Sequence, residues 1–240
     1  MISLAITNYN RSGWVIESFI QVLNNDYVGE IVIVDDCSDE ICYYNLCAFV
    51  SIINNPKIKL FRNDTNLGLF LNKRKSVELC SNEYVIVFDS DNVLDNDYIE
   101  IVKSINKESD MLYCPEILYD TSKQIEQWSY KEFSDIIIDR YNINTYMGNV
   151  NFETLLNSGN YFVHRNTFLL STASPDEPIS EISGGDTIYI NYLWILAGNR
   201  IKSISGLGYI HRMHDKSYYL ININQSRDFN YKVCQKIKAL

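Results

Sequence analysis

The 240-residue sequence has little proline or glycine and lacks any long hydrophobic run. Its 4 prolines and 10 glycines leave no stretch typical of a flexible linker, so a single domain is expected. No apolar segment approaches the ~20 residues that a membrane-spanning helix needs. The residues from Met1 to Asn8 also lack the positive charge of a signal peptide. The sequence therefore predicts a cytoplasmic protein with no membrane span.

Basic residues and paired cysteine motifs are also scarce. The 21 lysines and arginines face 30 acidic residues, which gives a formal net charge of −9. Because binding to a nucleic-acid backbone needs a basic face, no nucleic-acid partner is expected. None of the 6 cysteines forms a CxxC pair, which argues against a zinc ribbon or a thioredoxin motif and favours reduced thiols. No Gly-x-Gly-x-x-Gly segment follows the first predicted strand, as a nicotinamide dinucleotide site would require.

Four short apolar runs in the first 90 residues predict buried β-strands. They are rich in β-branched and aromatic residues and mostly lack alternation, which is typical of strands covered on both faces. Helical periodicity lies between them, over Trp14–Leu23 and Leu69–Leu79. Alternating strands and helices predict an α/β protein with a doubly wound parallel sheet. The runs are Ile2–Ile6, Glu30–Val34, Ile58–Phe61 and Tyr84–Phe88.

The second half of the sequence is less regular. A strand is predicted over Tyr113–Tyr119 and a late strand over Ile201–Ile204. A helix is predicted over Asp186–Ala197, with Gly198 at the position where helices commonly end.

Polar side chains follow each of the first four predicted strands. In open parallel sheets, ligands bind outside the carboxyl ends of the strands, so these side chains predict a binding site. The residues are Thr7, Asn8, Tyr9, Asn10 and Arg11 after the first strand, Asp35, Asp36 and Ser38 after the second, Arg62, Asn63, Asp64, Asn66 and Gly68 after the third, and Asp89, Ser90 and Asp91 after the fourth.

The most informative of these motifs is Asp89-Ser90-Asp91. In an extended segment, residues i and i+2 point the same way, so the two carboxylates would converge. Converging carboxylates at the end of an apolar strand are costly unless a cation or a donor lies between them. Hard oxygen ligands favour Mg²⁺ or Mn²⁺, which commonly share their remaining positions with water and substrate phosphates.

Taken together, the motifs at the strand ends resemble glycosyltransferase family 2, of the GT-A fold. The resemblance is close over about the first 95 residues and weaker from Gly159 to Ser217. It implies one domain with a Rossmann-like, mixed but mostly parallel sheet flanked by helices. Residues 1–95 would be its nucleotide-binding half and residues 96–217 its acceptor-binding half, followed by a C-terminal helical tail over 218–240. The motifs are Thr7-x-Tyr9-Asn10-Arg11, Val34-Asp35-Asp36-x-Ser38, Asn66-x-Gly68 and Phe88-Asp89-Ser90-Asp91.

The resemblance implies an inverting, metal-dependent transfer of a sugar from a nucleoside diphosphate, with UDP favoured, to a hydroxyl of an acceptor such as a glycan. Thr7 and Asp36 would hold the nucleoside base, with Asp35 close by. Asp89 would reach the ribose or a water just beyond the metal's own ligands, and Asp91 would ligate Mn²⁺ or Mg²⁺. The rest of the implied donor site is Tyr9, Arg11, Asn66, Gly68 and Ser90.

The family also places an arginine after the Asn-x-Gly element, where it helps to hold the diphosphate. Without a gap that position falls on Lys73, and Arg74 is one residue later. Both remain open from the sequence, as does a solvated basic helix face made by Lys73-Arg74-Lys75.

The resemblance assigns a base and further metal ligands to the second half. Asp186, in Ser183-Gly184-Gly185-Asp186-Thr187, matches the family's catalytic base, although Gly185 replaces the usual preceding glutamate. Asp186 would alternatively be only the N-cap of its helix. In His211-Arg212-Met213-His214-Asp215-Lys216-Ser217, His214 matches a histidine that completes the metal shell in some members, with His211 as the alternative.

Two aromatic residues of the second half are predicted to contact the acceptor. Trp128 and Tyr130 are expected to stack on acceptor sugars, although aromatic side chains are more often packing elements.

The segment from Phe88 to Leu94 also resembles the nucleophile motif of haloacid-dehalogenase-like phosphatases, but that motif belongs on a first strand and here follows the fourth. A GT-A domain that binds a nucleotide sugar or glycan without transfer is the second alternative, suggested by Gly185.

Overall fold

The computed structural model describes residues 1–182, 184–215 and 217–240, so Ser183 and Lys216 of the two late motifs lie outside it. The described residues form a nine-stranded mixed sheet in the order β3-β2-β1-β4-β8-β5-β9-β7, with β6 paired to β5. The strands are β1 (Ile2–Asn8), β2 (Val28–Asp35), β3 (Ile58–Arg62), β4 (Tyr84–Asp89), β5 (Met111–Tyr119), β6 (Glu126–Ser129), β7 (Ile137–Ile138), β8 (Phe162–His164) and β9 (Arg200–Ile210).

Helices flank this sheet, and short 3₁₀ turns join several of the elements. Among the described residues, no helix combines the length and the apolar character needed to cross a bilayer. The helices are α1 (Ser12–Phe19), α2 (Glu40–Ile53), α3 (Leu69–Glu78), α4 (Asn96–Ser104), α5 (Val150–Leu156), α6 (Arg165–Ser171), α7 (Asp186–Leu196), α8 (Tyr218–Ile221) and α9 (Ile223–Lys238). The 3₁₀ turns are Ile20–Val22, Lys131–Phe133, Ile143–Thr145 and Ile179–Glu181.

The register of the first strands brings their carboxyl ends together. Strand β1 pairs in parallel with β2 and β4, and Thr7 lies beside both Val34 and Asp89. The next residue, Asn8, lies beside Asp35. The polar residues that follow these strands therefore share one edge of the sheet, as the α/β prediction required.

The mixed character of the sheet comes from its second half. Strand β8 is antiparallel to both β4 and β5, so it separates the first parallel block from the parallel pair β5 and β9. The α/β class and the mixed sheet are confirmed. The single helix predicted over Trp14–Leu23 is α1 followed by the 3₁₀ turn, because the backbone tightens at Ile20.

The core continues from the sheet into the last helices. Helix α7 is buried on every side from Asp186 to Ile195, so its sequence shows no single apolar face. Helix α9 adds Phe229, Val233 and Ile237 to the same core. The C-terminal helices therefore pack as part of the body that carries the strand ends.

Candidate active site

Two connected cavities open at the carboxyl ends of β1, β2 and β4. We call the smaller one, of about 480 Å³, the strand-end cavity; it is lined by Thr7, Tyr9, Asp36, Asn72 and Ser90 among others. The larger one, of about 700 Å³, is the central cavity, and both volumes are ordinary for ligand sites. The residues that line both cavities are Arg11, Leu69, Asp89 and Tyr218.

A buried lysine joins two carboxylates on the floor of the central cavity. Lys73 Nζ, on α3, lies 2.7 Å from Asp186 Oδ2 and 3.2 Å from Asp89 Oδ1. Burial alone would lower the pKa of Lys73, but the two facing carboxylates outweigh it and raise that pKa well above its usual value. Lys73 therefore remains a cation at the point where the acidic groups meet.

Asp89 is held in place from β1 and from the loop before β8. Thr7 Oγ1 donates to Asp89 Oδ1 at 3.3 Å, and the Asp89 backbone N–H donates to Asn160 Oδ1 at 2.8 Å. Burial raises the pKa of Asp89, and repulsion from Asp91 and Asp186 adds to this, although Lys73 opposes the rise. Thr7 thus contacts the carboxylate as well as lining the strand-end cavity.

Asp91 faces a cation and an imidazole. Its Oδ2 forms an ion pair with Arg11 and lies 3.0 Å from His214 Nε2. The His214 ring packs against Trp14, with ring centroids 4.5 Å apart. Burial favours the neutral acid, but His214 and Arg11 more than compensate, so the pKa of Asp91 is lowered and the carboxylate stays ionised at neutral pH.

Asp91 and His214 are the residues best placed to hold a divalent cation. The carboxylate suits either Mg²⁺ or Mn²⁺, whereas the imidazole favours the transition metal Mn²⁺, with phosphate oxygens in the remaining positions. Within residues 1–182, 184–215 and 217–240, no group of three or more histidine, cysteine or acidic residues is arranged for a metal. The donor set therefore fits a cation shared with a ligand better than one fully enclosed by protein.

The alternative metal ligand, His211, is placed differently. Its ring meets Trp128 edge-on, with centroids 5.4 Å apart, and it lines the central cavity. Burial lowers the pKa of His211 despite the nearby charges of Asp91 and Asp89, so the ring is neutral at neutral pH. Arg212, between the two histidines, pairs with Glu17 and lies over the Trp14 ring.

Asp36 organises the turn that leads into α3. Its Oδ1 accepts the Leu67 backbone N–H at 2.8 Å and the Asn63 amide at 2.8 Å, and its Oδ2 accepts the Gly68 N–H at 2.9 Å. Asn66 Oδ1 also accepts the Gly68 N–H, and Gly68 has a φ of +80° that favours glycine. Among the described residues, Asp36 lines the strand-end cavity, whereas Asn66 and Gly68 line neither cavity.

Asp35 lies behind the cavities rather than in them. It is fully buried, and it accepts hydrogen bonds from the Asn8 amide at 2.8 Å and from the Ser38 hydroxyl at 2.5 Å. These bonds tie the end of β1 to the loop after β2. The structure thus gives Asp35 a position that shapes the strand ends, unlike Asp36 beside it.

The two basic candidates on α3 contact different parts of the structure. Arg74 donates to the Leu169 carbonyl at 2.9 Å and to the Thr172 hydroxyl at 3.2 Å, both on or beside α6. Lys73 faces the central cavity, and Lys75 forms an exposed pair with Glu78. Of the three residues Lys73, Arg74 and Lys75, only Lys75 is solvated, so the triplet does not form a solvated basic helix face.

Asp186 is the first residue of α7, and Gly185 occupies the N-cap position. The interpretation of Asp186 as the N-cap is therefore wrong, because the carboxylate already lies inside the helix and contacts Lys73 instead. Gly185 has no room for a side chain, since a Cβ there would overlap Asn230 and Phe229 of α9. The absence of the expected glutamate thus follows from the packing of α9.

The comparisons with known proteins decide the family. The model of glycosyl transferase family 2 matches residues 3–168. The chain belongs to glycosyl transferase family 2. This assignment contradicts the phosphatase alternative. It agrees with the order of motifs along β1, β2 and β4.

The relatives support the same assignment. The chain is 33% identical over 92 residues to the putative colanic acid biosynthesis glycosyl transferase WcaA of Escherichia coli K12. That match covers 38% of this chain and 32% of the relative, so the chain spans about a third of the curated relative's length in the match.

Solved structures establish the GT-A fold of this family 2 chain. It resembles S. aureus TarS 1-349 in complex with UDP-GlcNAc, with a TM-score of 0.67 and 19% identity over 98% of this chain and 65% of that one. It also resembles the mannosyltransferase PcManGT of Pyrobaculum calidifontis in complex with GDP-Man and Mn²⁺, with a TM-score of 0.65 and 11% identity over 99% and 68% of the two chains.

The aromatic residues predicted to meet the acceptor lie at the central cavity of this family 2 domain. Trp128 lines the cavity beside His211. Tyr130 also lines it but is almost wholly buried, and its hydroxyl bonds Ser158 Oγ at 2.9 Å. Tyr130 therefore supports the wall, and Trp128 is the more available of the two rings.

Sequence reasoning placed α5 within the acceptor-binding half but named none of its cavity residues, and it gave the segment of α9 no part in the site. The cavity-facing residues recur at helical spacing. On α9 this spacing can be recognised in the sequence only after Phe229, Val233 and Ile237 are identified as the face that packs into the core. The cavity-facing residues are Val150, Glu153 and Thr154 on α5, Asn157 directly after it, and Arg227, Asn230, Tyr231, Cys234, Gln235 and Lys238 on α9.

Proposed function

We propose that this family 2 protein transfers a sugar from a nucleoside diphosphate, with UDP favoured, to a hydroxyl acceptor, with inversion at the anomeric carbon. The observation that carries the proposal is that Lys73 contacts both Asp186, in the central cavity, and Asp89, which lines both cavities, with Asp91 in the same central cavity. We place the nucleoside in the strand-end cavity and the two sugars in the central cavity.

The nucleoside is assigned to the strand-end cavity. Thr7, Tyr9, Asp36 and Ser90 line it, and the half-exposed Tyr9 ring lies at its edge. Asn66 and Gly68 act on this cavity through their bonds to the loop that Asp36 holds. TarS bound to UDP-GlcNAc and PcManGT bound to GDP-Man support a nucleotide sugar as donor.

The diphosphate is assigned to the junction between the cavities, where Arg11 and Lys73 bring positive charge. A divalent cation held by Asp91 and His214 would supply Lewis-acid charge to the leaving phosphate oxygens. The PcManGT complex with Mn²⁺ supports the use of such a cation. Arg11 forms an ion pair with Asp91. When a cation binds Asp91 instead, the Arg11 guanidinium can bind a phosphate oxygen.

Asp186 is assigned as the general base. A direct displacement inverts the anomeric carbon and needs one carboxylate to accept the proton of the attacking hydroxyl. Asp186 is buried, lines the central cavity and keeps its place through the Lys73 ammonium. Lys73 also offsets the charge that Asp89 and Asp186 would otherwise accumulate beside the phosphates.

Binding of a nucleotide sugar without transfer is the second candidate, and Gly185 is the observation that favours it. The two candidates share the donor site and differ only in whether Asp186 removes a proton. Turnover with a suitable acceptor separates them.

The test of donor binding is a thermal-unfolding panel. The chain is heated with UDP, GDP and their sugars, each with Mn²⁺, with Mg²⁺ or with EDTA. Preferential binding to the folded state at ~100 times Kd adds about 2.7 kcal/mol, or roughly 5–10 °C for a domain of this size. We expect such a rise with a nucleoside diphosphate and cation together. No rise with any nucleotide would contradict the proposed function.

A further inference from the structure

Part of the central cavity is lined by residues of α5 and α9. One face of α9 lines it, with residues spaced as i, i+3, i+4, i+7, i+8 and i+11, and these span about 16 Å at 1.5 Å per residue. A matching face of α5 lines it as well. Glu153 Oε1 of α5 lies 3.9 Å from Lys238 Nζ of α9, which brings the two faces close at one end. We call this the α5–α9 groove.

Contacts on two faces of α9 hold this helix against the rest of the protein. Its inner face packs Phe229, Val233 and Ile237 into the core. Its outer face carries Lys236, whose Nζ lies 2.8 Å from Asp176 and 2.5 Å from Glu177 in the loop before α7. The groove-facing residues lie between these two faces. Cys234 among them also belongs to the core, whereas Tyr231 and Gln235 are exposed.

The groove begins next to the proposed base. Gly184 and Gly185, directly before Asp186, lie against Ser226 and Asn230 of α9, and a Cβ on either glycine would overlap them. The side chain of Asn230 occupies the place where a residue larger than glycine would project from position 185. Glycine at position 185 therefore allows α9 to pack directly beside Asp186.

The chemistry of the groove matches sugar hydroxyls. Asn157, Asn230 and Gln235 offer amides, each with both donors and acceptors, and Thr154 offers a hydroxyl. Tyr231 is 68% exposed and presents an apolar ring face with a polar tip. An apolar chain in this groove would leave the amides unpaired, at a cost.

We propose that the α5–α9 groove is the acceptor subsite and takes an extended oligosaccharide, with the reacting hydroxyl at Asp186. This inference rests on the proposed function and names its acceptor class. A groove of this length fits a chain of several sugars better than a monosaccharide. Tyr231 and Gln235 are its specificity-determining residues, since both are exposed, both line the groove and neither belongs to the core of the described residues.

The test uses the full chain, fluorescently labelled, on an array of neutral and acidic glycans from one to six sugars long, in the presence of UDP and Mn²⁺. Tyr231→Ala and Gln235→Ala are compared with the wild type. Gln225→Ala is the matched control, because Gln225 is an exposed glutamine of the same helix that lies outside the groove. Both groove variants keep the core of α9, and UDP-dependent thermal stabilisation is measured for all four proteins.

We expect the wild type and Gln225→Ala to bind oligosaccharides more tightly than the corresponding monosaccharides. Binding by Tyr231→Ala and Gln235→Ala should be about 5- to 10-fold weaker, which corresponds to the loss of roughly one hydrogen-bonded or stacked contact. Equal binding by all four proteins, retention of monosaccharides alone, or no retained glycan while UDP still stabilises the chain would overturn the proposal. Groove-dependent glycan binding without any nucleotide effect would instead overturn the proposed function.

Discussion

Lys73 and Asp186 are 113 residues apart in the sequence, and their charged atoms meet at 2.7 Å beneath the central cavity. The contact links α3, which also lines the strand-end cavity, to α7, which carries the proposed base. Both side chains are nearly inaccessible to water, so neither charge is screened as a surface pair would be. The site depends on this pair for its charge balance as well as for its shape.

Replacing Lys73 by methionine should destabilise the fold as well as the site. The change leaves Asp89 and Asp186 without their shared cation, and breaking a buried pair of this kind costs ~3–5 kcal/mol. Denaturant unfolding measures the effect. Lys75→Met is the control, since its exposed pair with Glu78 should change stability by less than about 0.5 kcal/mol. Equal effects of the two substitutions would contradict the role given to Lys73.

The strand-end site could be predicted because parallel pairing places successive strand ends at one edge. Thr7, Asp36, Asp89 and Asp91 meet there as their positions after apolar strands indicate. Neighbouring residues were harder to separate. Asp35 and Asp36 are adjacent at the end of an extended strand, so their side chains point to opposite sides. Asp36 lines the strand-end cavity, and Asp35 is buried behind it.

The choice between Lys73 and Arg74 could not be made from the sequence. Adjacent residues of a helix point about 100° apart, so the choice depends on which face of α3 meets the sheet. The weak amphipathicity of this helix leaves that open, because Asn72 and Lys73 are themselves buried. A buried lysine in a lysine-rich stretch carries no sequence signal of its own.

Several elements of the fold had no clear pattern. Helix α2 exposes Ile41, Tyr44 and Ile52, so its apolar residues do not mark one buried face. Strand β8 has three residues and is antiparallel to its neighbours, which a repeating strand–helix pattern does not predict. Helix α9 alternates core and groove residues, and its polar face resembles a solvated one.

Introducing glutamate at position 185, as Gly185→Glu, should impair the chain although it restores the family's usual residue. A side chain there would overlap Asn230 and Phe229, and overpacking of this kind costs about 1–3 kcal/mol. Thermal or denaturant unfolding gives the measurement. Gly13→Ala serves as the control, because no atom lies within 4 Å of a Cβ on Gly13. A Gly185→Glu protein as stable as the wild type would argue that α9 does not pack on this position.

Removing the cation should abolish the stabilisation given by the nucleotide. With EDTA, the rise in unfolding temperature caused by a nucleoside diphosphate should disappear, and Mn²⁺ should restore it. Asp91→Asn should raise the Mn²⁺ concentration needed by at least about tenfold. Asp228→Asn, an exposed aspartate on α9, provides the comparison. An undiminished response in EDTA would remove the cation from the account of donor binding.

Glu30 should add an acid-sensitive contribution to stability. Burial would raise its pKa, but hydrogen bonds from Lys59, Ser3 and Ser81 outweigh this and lower the pKa from 4.5 to about 2. A lowered folded-state pKa gives stability that is present above pH 4.5 and is lost as the pH falls toward 2.

The measurement for Glu30 compares the wild type with Glu30→Gln. The difference in their unfolding free energies should shrink by about 1 kcal/mol between pH 7 and pH 3.5. Urea unfolding at the two pH values provides it. A difference that does not change with pH would show that the Glu30 carboxylate has the same pKa in the folded and unfolded chains.

The central claim is that Asp186 removes the proton of the acceptor hydroxyl at a site where the donor is already held. The most direct measurement compares Asp186→Asn with the wild type for two quantities, the nucleotide-dependent rise in unfolding temperature and the rate of sugar transfer. We predict that donor binding persists while transfer falls by about 10²- to 10⁴-fold, the usual contribution of a general base. A variant that binds the donor and transfers sugar at the wild-type rate would contradict the account.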